Sequence, residues 1–514
     1  MIPLLRSIVK LPILFLAMLP LFLFLFPVLS SAQPGTLDLN FGSAGIVITP
    51  IGSGNDVINS MLIQSDGKIL TAGYSNVYFT LVRYQANGSP DSTFGNNGIV
   101  TTLIGTGNGV GNSVAMQSDG KIVLAGLTGI FPDFSIAVAR YDTNGLPDST
   151  FDSDGKVITN IGSTDDRARD VAIQPDGKIL IGGNSFNGTN NDLLLMRYLA
   201  DGSPDSTFDS DGIVTTPVGT ANDIIRTIAL QSDGKIVVGG FSFQSGSLDY
   251  EFLIGRYDST GMPDSAFDSD GLLTMDMVTA NDYGESLLIQ GDGKIVLGGY
   301  NYDGFISLLR CNSDGSMDST FGASGKVSTA FGASYQNDYS VAIQADGKFI
   351  IAGYRNTDST NSRFGMARYN NDGSLDTVFG VAGFVSTQIG FADDIATTAA
   401  IQSDGKIVLA GKTYNGSNYD FAIARYHADF PVTAEFDFTG PPQFLLYPNP
   451  SEGTFDLLWT GDDNATLSIF DLHGHEMMRR SNLGSCEFQI QIPGIYFVVV
   501  NDGVTVRTRQ LQIR

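Results

Sequence analysis

Seven copies of one unit run through this chain of 514 residues and set the terms on which it can fold. The turn Gln-x-Asp-Gly-Lys recurs with its Asp at 66, 119, 176, 233, 292, 346 and 404, a period of 53 to 59 residues. Arg followed by an aromatic recurs as Arg83-Tyr84, Arg140-Tyr141, Arg197-Tyr198, Arg256-Tyr257, Arg368-Tyr369 and Arg425-Tyr426, with Arg310-Cys311 as the departure. Asp-x-x-Phe recurs with its Asp at 38, 91, 148, 205, 264, 318 and 376. A repeated unit buries its apolar faces against its neighbours, so the architecture has to be read from the whole array.

Each unit reads as four short strands, in the second full copy at 113–117, 121–126, 134–141 and 156–159. In Pro175-Asp176-Gly177 the Pro presets φ for a type I turn and the Gly supplies the left-handed residue of a bulged return. Strands such as Ile122-Val123-Leu124-Ala125 are apolar without alternation, so both sheet faces are covered. Paired small residues close that strand in every copy, from Ala72-Gly73 to Ala410-Gly411, which marks a close backbone approach. Four antiparallel strands per unit and seven units describe an all-β chain built as a seven-bladed β-propeller. A solenoid fits less well, because its repeats of roughly 20–29 residues are too short. The chain enters on a strand of the last type, 45–49, and leaves the array on the type before it, 421–426. The first strand is therefore expected to complete the seventh blade and remove an open sheet edge.

These units resemble the delta-60 repeat, a β-propeller-like bacterial repeat, through "SDGKIVLAG", "IAVARYDTNG" and "DSTFGNNG". The resemblance covers roughly 36–430 and implies architecture; that family has no general activity to carry over.

The array is framed by two further segments. Residues 1–32 carry Arg6 and Lys10, an apolar run broken by Pro12, Pro20 and Pro27, and a small-residue exit. That order predicts a secretory signal peptide cleaved between Ala32 and Gln33. A Pro-containing linker is expected at 430–443, followed by a small antiparallel β-sandwich at 444–514, which leaves 33–429 for the propeller. The final stretch also resembles the type A C-terminal sorting domain of the type IX secretion system. The motif residues are Tyr447, Pro448, Asn449 and Pro450, then Gly453, the turn ending at Gly474, Gly494 and Tyr496. That resemblance implies the type IX machinery as a partner, with release from the cell or attachment to its surface. Cys311 and Cys486 fall in different domains, so no disulfide framework is available, and Cys311 reads as a buried small hydrophobe.

Charge narrows the function. Asp and Glu number 54 against 29 Lys and Arg, giving −25, or about −27 once Arg6 and Lys10 are cleaved away. Such a chain repels phosphate backbones, which excludes nucleic acid as a partner. Only six of the acidic residues are Glu, so 48 are Asp, mostly at repeated turn positions. Seven Arg and seven Lys also sit at fixed repeat positions. The Arg is expected to clamp the Asp of Asp-x-x-Phe bidentately.

In a meander, successive connections alternate between the two ends of the sheet, so the two constant turns share one face and the variable loops share the other. Variable loops such as 241–251 and 355–363 make that second face the expected binding face. It also carries Asp56, Asp166, Asp223, Asp282 and Asp394, each eight residues before the strand-ending Gln, with Asp338 nearby but off register. This ring could hold calcium or the hydroxyls of a glycan; alternatively each Asp accepts hydrogen bonds from its own turn, the reading preferred. Asp152-Ser153-Asp154-Gly155 and its two counterparts lack most ligands of a calcium loop and read as turns. No cofactor is expected beyond that calcium alternative.

The three His, His427, His473 and His475, lie at or beyond the end of the seventh repeat, so the propeller has no His-based triad or metal site. Departures between copies show no cluster of reactive side chains. The reading is an exported, monomeric propeller acting as a binding, adhesion or structural module. Its ligand outside the cell, glycan or protein, is left open. An extracellular hydrolase or lyase acting on polysaccharide is the alternative.

Overall fold

The computed structural model describes residues 33–162, 164–277, 280–332, 339–356, 361–428, 444–447, 454–459, 465–471, 476–481, 486–490, 492, 494–501 and 506–513. The signal segment with Ala32, Asp338, the linker, His473, His475, and Pro448, Asn449, Pro450, Gly453 and Gly474 of the sorting motif lie outside the described residues. Two compact units divide the chain, 1–431 and 432–514. Every regular element described is a strand.

In the first unit, seven four-stranded antiparallel sheets follow one another. Blade 1 runs inward to outward through Asp56–Ile63, Ile69–Ser75, Tyr78–Tyr84 and Ile99–Thr102. Blades 2 to 6 repeat this over 108–159, 166–216, 223–275, 282–330 and 340–387. Blade 7 takes Asp394–Ile401, Ile407–Tyr414 and Tyr419–Tyr426 from the end of the array and Ile46–Thr49 from its start, with Ile46 opposite Ala424 and Thr49 opposite Phe421. The first strand thus closes the ring, as its place in the repeat requires. Each innermost strand contacts the next, and Asp394–Ile401 contacts Asp56–Ile63, so these strands surround an axis.

The second strand of each blade is buried along nearly its whole length, as Ile122–Ile130 shows, because a neighbouring blade covers each face. The core therefore lies in the seams. Phe41, Ile58, Ile69, Val82 and Tyr84 pack against Val408, Ala410, Phe421 and Ile423 where the ring closes. The hairpin turn behaves as its sequence demands: Gly177 has φ +86°, its N–H donates to Gln174 O at 2.9 Å, and Asp176 Oδ1 accepts from Lys178 N. The small-residue pair has an equally local cause. A Cβ on Gly126 would lie 1.9 Å from the carbonyl oxygen of Val110, where the inner strand bulges between Gly111 and Ser113.

On the face of the constant turns, seven clamps join blade to blade. Arg83 Nε donates to Asp91 Oδ2 at 2.8 Å, and Nη1 donates to Thr143 O of the next blade at 2.6 Å. Arg140, Arg197, Arg256, Arg310 and Arg368 hold Asp148, Asp205, Asp264, Asp318 and Asp376 in the same way, and Arg425 holds Asp38 while reaching Ala86 O of blade 1. The Lys of the hairpin turn approaches the same Asp oxygen, as Lys178 does Asp205 at 3.2 Å. Each guanidinium also lies over the Phe of Asp-x-x-Phe, at 4.4 Å for Arg83 and Phe94. The expected bidentate pairing is corrected. Asp91 Oδ1 already accepts from the N–H and hydroxyl of Thr93, which leaves one carboxylate oxygen for the basic groups.

A second seam contact joins the Tyr of Arg-Tyr to the outer strand of the preceding blade. Tyr141 Oη donates to Thr102 Oγ1 at 2.9 Å, and Tyr84 does the same to Thr49 at 2.8 Å. Where Cys311 replaces Tyr, Met275 replaces Thr, and both join one apolar cluster. Cys311 is buried, and burial pushes its thiol up to about 12, so it behaves as the small hydrophobe its sequence context predicts.

The second unit has sheets of three and four strands, the latter ordered Glu476–Ser481, Thr466–Phe470, Gly494–Asn501, Val506–Ile513. Its core alternates along the strands, with Leu467, Ile469, Tyr496, Val498, Val500, Leu511 and Ile513 buried against Phe455, Leu457 and Phe488. Tyr496 of the sorting motif turns its hydroxyl onto Ile492 O at 2.8 Å, and Gly494 opens the same strand. Tyr447 ends the first strand of this unit, Phe444–Tyr447.

Candidate ligand-binding site at the ring axis

The five Asp at the start of the inner strands do not form an open carboxylate ring. Asp56, Asp166, Asp223, Asp282 and Asp394 are each 0% exposed. Asp166 Oδ2 accepts from the backbone N–H of Ile161 at 2.7 Å and of Gly162 at 2.9 Å, while Ser185 Oγ donates to Oδ1 at 2.6 Å. Asp223 and Asp394 repeat this with Ser242 and Thr413, Asp56 with Ile51 and Gly52, and Asp282 with Met277. Burial pushes the carboxyls of Asp223 and Asp394 up, against the pull of these donors. Each Asp holds the loop that leads into its own strand, and a ligand would have to displace that loop to reach it. These hydrogen bonds are those of the preferred turn reading. At Asp152 and Ser153, φ values of 45° and 65° wind a tight turn closed by Asp154 Oδ1 on Lys156 N. Among the described residues no three His, Cys, Asp or Glu side chains gather to hold a metal.

A different set of residues meets at the axis. In six blades the inner strand bulges opposite the close-approach Gly, and the extra residue stands five before the strand-ending Gln: Asn59, Asn112, Arg169, Arg226, Glu285 and Thr397. Three of these stitch the ring. Asn59 Nδ2 donates to Gly111 O at 2.8 Å, Asn112 Nδ2 to Ala168 O at 2.7 Å and Thr397 Oγ1 to Ile58 O at 2.6 Å, each on the next inner strand. Blades 3, 4 and 5 put charge there instead. Arg226 Nε lies 3.4 Å from Glu285 Oε2. Arg169 makes one long contact, Nε to Asn184 Oδ1 at 3.4 Å. Burial pulls the Arg169 guanidinium down to about 9, with Arg226 and Arg167 adding to the fall and Glu285 opposing it. Both Arg169 and Glu285 stand at the bulges of inner strands, which surround the axis. Two residues nearer the variable face, Arg167 pairs with Asp165 at 2.6 Å and covers the Phe134 ring.

Aromatic side chains extend this site toward the variable face across blades 4 to 6. Tyr283 stacks on Tyr300 at 5.2 Å and 18°, and Tyr302, 39% exposed, leans over Tyr283 at 5.1 Å. Phe241 meets Tyr250 and Tyr283 edge-on and lies under Arg226; Tyr339 continues the row beside Tyr300. Burial raises the Tyr283 and Tyr300 hydroxyls far above the usual phenol range. They are hydrogen-bonding groups held neutral, unsuited to act as bases.

The sequence expectation that departures between copies form no cluster is thereby overturned. Arg169, Arg226 and Glu285 are scattered in the chain and share only their offset from the repeat Gln. Tabulating that one offset gives Asn, Asn, Arg, Arg, Glu, Tyr, Thr, a column in which three charged residues interrupt amides and a hydroxyl.

The family model described as Domain of unknown function (DUF5122) beta-propeller matches residues 64–94, 117–151, 174–208, 231–267, 290–321, 344–379 and 402–429. A Secretion system C-terminal sorting domain, Por_Secre_tail, matches residues 445–514. No curated protein matches the chain. Similar solved structures include the extracellular domain of a hybrid two component system from B. thetaiotaomicron, at 11% identity and a TM-score of 0.40, covering 94% of this chain and 59% of that one. They also include the NanB sialidase of Streptococcus pneumoniae, at 11% identity, TM-score 0.37 and coverages of 78% and 71%. A third is an ulvan lyase, at 10% identity, TM-score 0.42 and coverages of 74% and 94%. The sorting domain directs export by type IX secretion to the cell surface or the extracellular space. The chain is therefore an exported protein that carries seven DUF5122 β-propeller repeats and a type IX C-terminal sorting domain.

Proposed function

We propose that the propeller is a binding module working outside the cell, with the variable-face mouth of its axis over blades 3 to 6 as the ligand site. One observation carries this reading. The inter-blade stitches made by Asn59, Asn112 and Thr397 give way to Arg169, Arg226 and Glu285, beside the aromatic row of Tyr283, Tyr300 and Tyr302. Stitching needs only an amide or hydroxyl; buried charge beside stacked aromatics adds cost to folding and gains its use from a ligand. Flat rings edged by hydroxyl donors suit the apolar face and hydroxyls of a saccharide, so a glycan is the favoured ligand over a protein.

Binding is favoured over hydrolysis or lysis because the hydroxyls at the site are held neutral and Glu285 is engaged by Arg226. A glycan array probed with the exported chain, combined with a reducing-sugar assay on every positive, tests the reading. Retention without product is expected, and retention lost in Tyr302→Ala locates the site. Steady release of reducing ends would replace the module with an enzyme. Removal of residues 444–514 is expected to hold the protein in the periplasm; undiminished appearance in the medium would contradict the sorting role.

A further inference from the structure

We infer that the axial site recognises an acidic saccharide, and that Arg169 receives its carboxylate or sulfate group; this rests on the glycan-binding reading above. Arg169 sits at the inner-strand bulge of blade 3, where its only polar contact among the described residues is the 3.4 Å approach to Asn184 Oδ1. A guanidinium carries five N–H donors, and in half-buried Arg169 a single long contact leaves most of them open to an incoming acceptor. The acids around it are committed elsewhere. Asp165 holds Arg167 at 2.6 Å and Glu285 lies 3.4 Å from Arg226. Asp170, the neighbour in sequence, spans two seams, accepting from Ser113 Oγ at 2.6 Å and from Ile228 N at 2.7 Å. Burial pushes the Asp170 carboxyl up, which further lowers its value as a counter-ion.

Arg169 and Arg226 thus occupy neighbouring inner-strand bulges in a chain with net charge −25, and Arg169 has no partner anion among the described residues. A protein of that charge repels long polyanions at a distance, so the match is a single acidic group on a short or mostly neutral saccharide. The aromatic row toward the variable face supplies a surface for the sugar rings, and Arg169 supplies the charge. A planar guanidinium can meet either a carboxylate or a sulfate through two parallel N–H donors.

Calorimetric titration of the exported chain with digalacturonic acid, glucose sulfate and cellobiose separates the outcomes. At least one acidic probe is expected to bind at least about tenfold more tightly than cellobiose at low salt, and whichever binds identifies the acidic group. Arg169→Met is expected to abolish that preference, and Arg169→Lys to retain part of it. The midpoint of thermal unfolding of Arg169→Met without ligand is expected to equal or exceed the wild type, since an unpaired cation is removed. Equal binding of cellobiose and the acidic probes, unchanged in either variant, would overturn the anionic assignment and leave the glycan-binding reading standing. Absence of binding by all three probes to folded protein would remove both. Should Arg169→Met fail to fold, Arg169→Lys carries the same comparison.

Discussion

Arg425 Nε donates to Asp38 Oδ2 at 3.0 Å across 387 residues of sequence, and its Nη2 lies 2.8 Å from the same oxygen. The other six clamps join residues eight apart, so this one alone ties the beginning of the array to its end. Arg425→Met leaves Asp38 buried without its partner, a change that costs about 3–5 kcal/mol. Arg197→Met should cost as much but leave the ring closed. Hydrogen exchange discriminates the two: residues 46–49 are expected to lose protection in Arg425→Met and keep it in Arg197→Met. Equal protection in both variants would deny the clamp its role in closure.

Acid should act on six of the clamps at once. Burial would raise Asp318, but Thr320, Arg310 and Lys294 outweigh it and hold the carboxyl down at about 2; Asp91, Asp148, Asp205, Asp264 and Asp376 are lowered as well. An unfolded Asp titrates near ~3.9, so the unfolded chain takes up protons first as pH falls. The stabilisation is therefore complete above about pH 4 and lost on the way down to about pH 2. Thermal midpoints are expected to be level from about pH 5 to 8 and to fall steeply below about 4, with a shallower fall in Asp318→Asn. A wild-type midpoint unchanged at low pH would contradict the account.

Two glycines test two different physical requirements. Gly177 needs φ +86° but a Cβ there would meet nothing within 4 Å, so Gly177→Ala should cost about 1 kcal/mol through the backbone alone. At Gly126 the Cβ would lie 1.9 Å from Val110 O, and the backbone of one strand must move. Gly126→Ala should cost more than about 3 kcal/mol in chemical denaturation. Similar costs for the two would show that the bulge adapts.

The blade 4–5 seam offers a double-mutant cycle. Cys311 and Met275 occupy the positions of a hydroxyl pair such as Tyr141 and Thr102. Cys311→Tyr alone adds a ring and a hydroxyl opposite a thioether and should destabilise by about 1–3 kcal/mol. Adding Met275→Thr supplies the acceptor, and a favourable coupling above about 0.5 kcal/mol is expected. Strict additivity would mean that the two departures arose without reference to each other.

Much of the fold was legible because the turn chemistry is local and occurs seven times. Gln-Pro-Asp-Gly-Lys specifies its hairpin without distant help, and the misplaced first strand follows from the order of strand types. The pairing of Arg with Asp was legible too, but its monodentate geometry was not, since that depends on Thr93 occupying the other oxygen of Asp91. The axial site was missed for a related reason. Arg226 and Glu285 approach across the seam of two blades, 59 residues apart in sequence, and no periodicity along the chain encodes that proximity. The Asp ring was legible in its preferred turn reading: Asp166 looks like one of a set, and its oxygens are taken by residues four, five and 19 positions away.

All seven Arg–Asp clamps and all seven Asp-Gly-Lys hairpins lie on one face of the ring, whereas the loops between second and third strands lie on the other. Changes distant from a shared network combine independently, so a loop on the second face can be lengthened or exchanged without loosening the clamps. The molecule is in this sense a chassis with seven separate sockets: one side has to be copied whole, and the other can be rewritten a loop at a time.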